Sequence, residues 1–241
     1  MIRLQIKQIR ALYFKNKLQI NTYLLISLSI LIVTSILTVI DPKSFIRFLG
    51  NVPPVILVSF LIIGGLAILI FFLSRSWYEI YDRKKIKPKN FFYLLPIILA
   101  FMPIVVDIAF RYPETINVYF PDSMLFYPVI GFVAELVFHL IPIFLLLLIL
   151  DLIFKNLNFN MVIWIVILVI SLIEPLYQVF WSPSYFPVWI MIFMVFNLYL
   201  FNFSELYIFK HHGFLAMYSM RLMYYMIWHI LWGHLRLVIL F

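Results

Sequence analysis

The chain reads as an all-α, polytopic membrane helical bundle of about seven transmembrane spans, preceded by an amphipathic N-terminal stretch. Three observations predict this. Of 241 residues, 66% are hydrophobic and only 12% charged, whereas soluble domains run at about half apolar and a quarter charged. Mean hydropathy is +1.08. Apolar runs long enough to cross a hydrocarbon layer of roughly 30 Å follow one another along the whole chain, and the short alternating segments of a β-barrel are not among them. A soluble enzyme, a nucleic-acid binder and a disordered chain are thereby excluded. The absence of cysteine removes disulfides, thiolate zinc sites and thiol nucleophiles.

Residues 1–19 carry Arg3, Lys7, Arg10, Lys15 and Lys17 among Ile2, Leu4, Ile6, Ile9, Leu12 and Tyr13. This spacing suits a basic helix lying on a membrane surface; a solvated basic tail is the alternative. The apolar run that follows lacks a small-residue cleavage site, so it reads as a span rather than a signal peptide. Spans are expected at 20–40, 52–74, 91–110, 124–150, 159–181, 185–203 and 213–235. The fourth is overlong and must tilt, kink or protrude; the sixth is barely long enough. The whole of 1–241 forms one integral membrane unit, with 124–235 as its chemically unusual core.

Lysine and arginine set the expected orientation. With the N-terminus inside, thirteen basic residues fall on the inner side, six of them in the loop 75–90, and four on the outer side. The expected location is the cell membrane, N-terminus cytoplasmic, in contact with anionic lipid.

Six ionisable residues fall within expected spans: Asp107, Glu135, His139, Glu174, Arg221 and His229. A lipid-facing charge at a helix centre costs on the order of 3 kcal/mol, so such groups turn inward. Asp107 precedes Arg111 by four residues and reads as a local ion pair at a span end. Glu135 and His139 are also four apart and share one helix face, with Pro142 bending the helix beyond them. Glu174 stands before Pro175, which frees the carbonyl of Ser171, and Gln178 lies one turn on. Arg221, Tyr225 and His229 form a stripe at i, i+4 and i+8. His211 and His212 read as headgroup anchors.

Two carboxylates, two imidazoles and a guanidinium in one layer suit hydrolysis. His139, Glu174 and His229 would make a three-ligand zinc site with a position left for water. Glu135 would then serve as general base, with Arg221 steadying Glu174 or a developing oxyanion. Structural readings stand beside each of these: an interhelical hydrogen-bond network for Glu135 and His139, an ion pair of Glu174 with Arg221, a core histidine at position 229.

The order of these groups resembles the CAAX-protease and bacteriocin-processing family of intramembrane peptidases. The family's first motif is a Glu-Glu pair, three residues and an Arg; Ala134-Glu135-Leu-Val-Phe-His139 is similar in spacing, with Ala134 for the first Glu and His139 for the Arg. Its second motif, a Phe, three residues and a His, has its counterpart in Ile170-Ser-Leu-Ile-Glu174. Its third, a His, three residues and an Asn or Asp, resembles His229-Ile-Leu-Trp-Gly233. The resemblance covers residues 124–235. It implies a metal- or glutamate-dependent peptidase acting on membrane-associated or lipidated peptides, with Glu135, His139, Glu174 and His229 as its site. The replaced motif positions equally suit a non-catalytic scaffold or binding relative, and buried acids and histidines a proton-coupled transporter.

Overall fold

The computed structural model describes residues 11–80, 91–153, 159–182 and 185–241. All regular structure among them is helical. In chain order the helices are α1 (Lys17–Ile40), α2 (Lys43–Leu49), α3 (Pro54–Arg75), α4 (Phe91–Phe110), α5 (Ser123–Ala134), α6 (Ile141–Ile153), α7 (Phe159–Ile170), α8 (Ile173–Phe180), α9 (Val188–His212), α10 (Phe214–Tyr225) and α11 (Trp232–Ile239). Two π-helical segments, Glu135–Leu140 and Met226–Leu231, join α5 to α6 and α10 to α11. The surface-helix reading of the N-terminus falls mainly on residues outside those described; residues 11–15 are helical and meet α1 after a turn at Asn16.

Among the described residues, five helices are long and apolar enough to cross a membrane: Lys17–Ile40, Pro54–Arg75, Ser123–Ile153, Met161–Phe180 and Val188–His212. Leu94–Phe110 is a shorter apolar helix at the third expected span. The run from α10 to α11, at the seventh, is more polar, with Arg221, His229, His234 and Arg236. The sixth span differs most from expectation. It runs to His212 rather than ending at 203, because Glu205 is buried against a partner and not exposed at an interface. Gly213, at φ 87°, ends it; a side chain there would also lie 2.6 Å from the Glu79 carbonyl.

Burial is inverted relative to a soluble domain. Large apolar side chains such as Leu25, Phe60, Leu152 and Phe180 are exposed, while Asp107, Glu135, His139, Glu174, Glu205, Arg221 and Arg236 are buried. In water so much exposed apolar surface would drive association; against acyl chains it is solvated. Hydroxyls on the spans return to the carbonyl four residues back, as Thr22, Ser29, Thr34, Ser59 and Ser204 do. Their polar groups are thus satisfied without water.

One apolar core joins α1, α3, α5, α6 and α7 through residues such as Tyr23, Phe72, Phe132 and Val166. A second joins α4, α9 and the α10–α11 run through Ala100, Ile190, Phe201, Tyr224 and Trp228. Helix α10 packs on α9, α4 and α5 and so lies where the two meet. Arg221 lies on that helix, and the charged residues gather around it.

Candidate active site

The Glu135–Leu140 segment is wound one residue wider than an α-helix, with the Ile141 N–H reaching the carbonyl of Leu136. Pro142, which has no N–H to give, follows at once, so the sequence supplies the local cause of the irregularity. Wound this way, the segment brings His139 Nδ1 to 2.6 Å from Glu135 Oε2. Both side chains are fully buried.

Glu174 is placed by a break at Ser171-Leu172, where α7 stops and α8 starts. This is the carbonyl that Pro175 was expected to free. Pro175 lies in the first turn of α8, where a missing N–H costs nothing. The carboxylate of Glu174 sits in the same turn, favourably placed toward the positive end of the helix dipole. Gln178 Nε2 donates to Glu174 Oε1 at 3.1 Å.

Arg221 ties these pieces together. Its Nε donates to Glu135 Oε1 at 2.8 Å. One terminal nitrogen donates to Glu174 Oε1 at 3.1 Å and to the Tyr225 hydroxyl at 3.2 Å. The other donates to Glu174 Oε2 at 2.9 Å and Glu205 Oε2 at 2.6 Å. All five donors of the guanidinium are therefore engaged. The expected role of steadying an oxyanion has no free N–H to carry it; Arg221 is the organiser of the carboxylates.

Glu205 is the member the sequence reading missed. The expected sixth span ends at 203, two residues short of it, although Glu205 continues the helical spacing of Asn197 and Phe201, both buried on the same face. Three carboxylates now surround one guanidinium. One donor atom each of Glu135, His139 and Glu205 lies within 4.8 Å of the others. Among the described residues Glu205 Oε1 and His139 Nε2 find no hydrogen-bond partner. The surplus of acid over base, in so deeply buried a setting, must be balanced by protons or by a cation.

The expected zinc ligands His139, Glu174 and His229 do not form one cluster. Glu174 is held by Arg221 and Gln178. His229 lies on the second π segment, its Nδ1 2.6 Å from Asn117 Oδ1 and its ring stacked at 4.5 Å on Tyr127. Gly233 makes room for this, since a side chain there would come within 2.9 Å of Asn117 Nδ2. Tyr225 stands between the two groups, its ring edge-on to His229 at 4.9 Å and its hydroxyl bonded by Arg221. Among the described residues, those that could hold a metal are Glu135, His139 and Glu205; an imidazole with two carboxylates is a donor set suited to zinc or manganese.

Asp107 also departs from expectation. Its carboxylate meets Arg236 at 2.6 and 2.9 Å, Trp232 Nε1 at 2.7 Å and the Tyr112 N–H at 2.9 Å. Arg236 further donates to the carbonyls of Tyr112, Pro113 and Glu114. Arg111 lies just past the end of α4 and is exposed, so the inward-facing Asp107 takes a partner from α11 instead. No protein-family model, curated protein or solved structure matches this chain.

Proposed function

We propose that the chain is an intramembrane hydrolase of the peptidase class, seated in the cell membrane with its N-terminus cytoplasmic. Its substrates on this reading are membrane-associated or lipidated peptides. The observation that carries it is the convergence of Glu135, His139, Glu174, Glu205 and Arg221, from four separate helical runs, on one buried point. With Oε2 of Glu135 on Nδ1, the imidazole of His139 keeps its Nε2 for chemistry. The basic unit is then the pair: Glu135 fixes the tautomer, and His139 takes the proton of the attacking water and returns it to the leaving amine. A divalent ion held by Glu135, His139 and Glu205 would instead supply Lewis-acid polarisation of the carbonyl in place of this base, because a nitrogen that ligates a metal cannot also take a proton. The division of labour refines the expectation that Glu135 alone is the base.

The Glu135→Gln variant, reconstituted in vesicles with a membrane-anchored peptide library, is expected to lose cleavage by about 10³-fold or more. Mass spectrometry of the products measures it. Unchanged cleavage would show the pair to be uninvolved.

The complete closure of the cluster favours a second reading. Every member is at most 3% exposed, which suits a proton-sharing network in a non-catalytic scaffold or binding relative. On that reading the wild-type chain cleaves no member of the library, while Glu135→Gln alters stability alone.

A further inference from the structure

Two residues bonded to the buried charge cluster are themselves only half-buried, and so lead from it toward the surface: Gln178 on α8 and Tyr225 at the end of α10. They meet at one corner. Arg221 Nη1 donates to the Tyr225 hydroxyl at 3.2 Å and to Glu174 Oε1 at 3.1 Å. Gln178 Nε2 donates to that same Glu174 oxygen, also at 3.1 Å. The hydroxyl and the amide are thus linked through two shared atoms.

Each has hydrogen-bonding capacity left over. The Tyr225 oxygen accepts from Arg221, while its O–H donates to no group among the described residues. The donation from a guanidinium polarises the hydroxyl and strengthens it as a donor. Gln178 gives one N–H to Glu174, which leaves its second N–H and Oε1. That oxygen accepts from no described group, and it is not among the polar atoms closed off from the surface, as His139 Nε2 and Glu205 Oε1 are. Packing holds the corner in shape. A side chain at Gly131 would come within 3.2 Å of the Tyr225 ring, which also stands edge-on to Tyr127 at 5.5 Å. Gln178 lies near the end of α8 beside exposed Tyr177 and Trp181. Exposed tyrosine and tryptophan suit the membrane–water boundary, which in the proposed orientation is the outer one here.

We propose that this corner is a backbone subsite for an extended peptide at the outer membrane boundary, with the Tyr225 O–H donating to one carbonyl and Gln178 Oε1 accepting from an N–H. The inference rests on the peptidase reading above and names the form in which the substrate is held. The N–H and C=O of one residue in an extended strand point to the same side, so a neighbouring donor and acceptor match a single residue. A helix satisfies its own amides, whereas an extended segment at the edge of the hydrocarbon must find partners on the protein. Main-chain bonding of this kind supplies affinity without selecting side chains.

The test takes a membrane-anchored peptide that the full chain cleaves in vesicles. Each residue's N–H outside the cleaved bond is replaced in turn by an ester oxygen, and steady-state cleavage is measured. One replacement is expected to raise KM about five- to tenfold with wild type, and to have no further effect with Gln178→Leu. With the unmodified peptide, Gln178→Leu and Tyr225→Phe are each expected to raise KM by a similar factor with kcat within about twofold, since the contact is made equally before and during reaction. The ester scan on wild type stands even where a variant fails to fold, which unfolding midpoints recorded alongside reveal. A wild-type scan with no sensitive position, or a sensitive position whose loss persists in folded Gln178→Leu, overturns the subsite. So does a fall in kcat at constant KM, the result of disturbing Glu174 or Arg221 instead. A wild-type chain that cleaves no peptide removes the peptidase reading and the subsite with it; cleavage with an insensitive KM removes the subsite alone.

Discussion

Arg221→Leu is expected to destabilise the bundle by about 3–5 kcal/mol, the cost of removing one partner from a buried ion pair. Three carboxylates lose their shared cation at once, together with five hydrogen bonds. Arg221→Lys is expected to recover only a small part of the loss. A lysine is a point charge with three donors, and cannot span Glu135, Glu174 and Glu205 as the flat guanidinium does. Denaturant titration in micelles, followed by tryptophan fluorescence, measures both. A neutral Arg221→Leu would mean that the carboxylates carry protons in the resting protein and need no cation.

Asp107→Ala is expected to lose a similar amount, about 3–5 kcal/mol, at a site remote in sequence from the first. It strands the Arg236 guanidinium among backbone carbonyls, and it leaves the Trp232 N–H without its acceptor. Arg111→Ala is the control. Arg111 is exposed, and its removal is expected to change stability by no more than about 0.5 kcal/mol. The reverse ranking in thermal unfolding would restore the local i,i+4 pairing that the sequence suggests. Both buried arginines use every donor they have, and each fastens the C-terminal run to earlier helices. They therefore hold the fold's topology together where apolar packing against lipid-like surfaces gives little direction.

Much of this was readable from the chain because its causes are local. Glu135 and His139 share a helix face by spacing alone, and Pro142 forces the irregular turn beside them. Pro175 dictates where the fifth expected span breaks, and so where Glu174 points. The inward turn of all these charges follows from the cost of placing them in lipid. What could not be read depends on partners far along the chain. Glu205 looked like the end of a span, because the guanidinium that makes it tolerable in the interior is sixteen residues away on the next helix. His229 is held by Asn117, 112 residues earlier, and no periodicity announces such a pair. Asp107 had a plausible neighbour at i+4 and took Arg236 instead, 129 residues on. The zinc set expected from sequence was composed of residues with the right chemistry, but helix packing gave two of them other partners.

Glu205→Gln separates a built chemical site from a structural salt-bridge network most directly. It removes one of three acids that share a single cation, while an amide keeps the shape and can still accept from Arg221. Excess carboxylate retained for chemistry is a strain on the fold, and functional sites commonly carry such strain. Measured side by side in the same micelles, the variant is expected to unfold at or above the wild-type temperature and to lose peptide cleavage together with any bound divalent ion. A variant that unfolds well below wild type, or one that cleaves as well as wild type, would contradict the assignment of Glu135, His139 and Glu205 as the reacting centre.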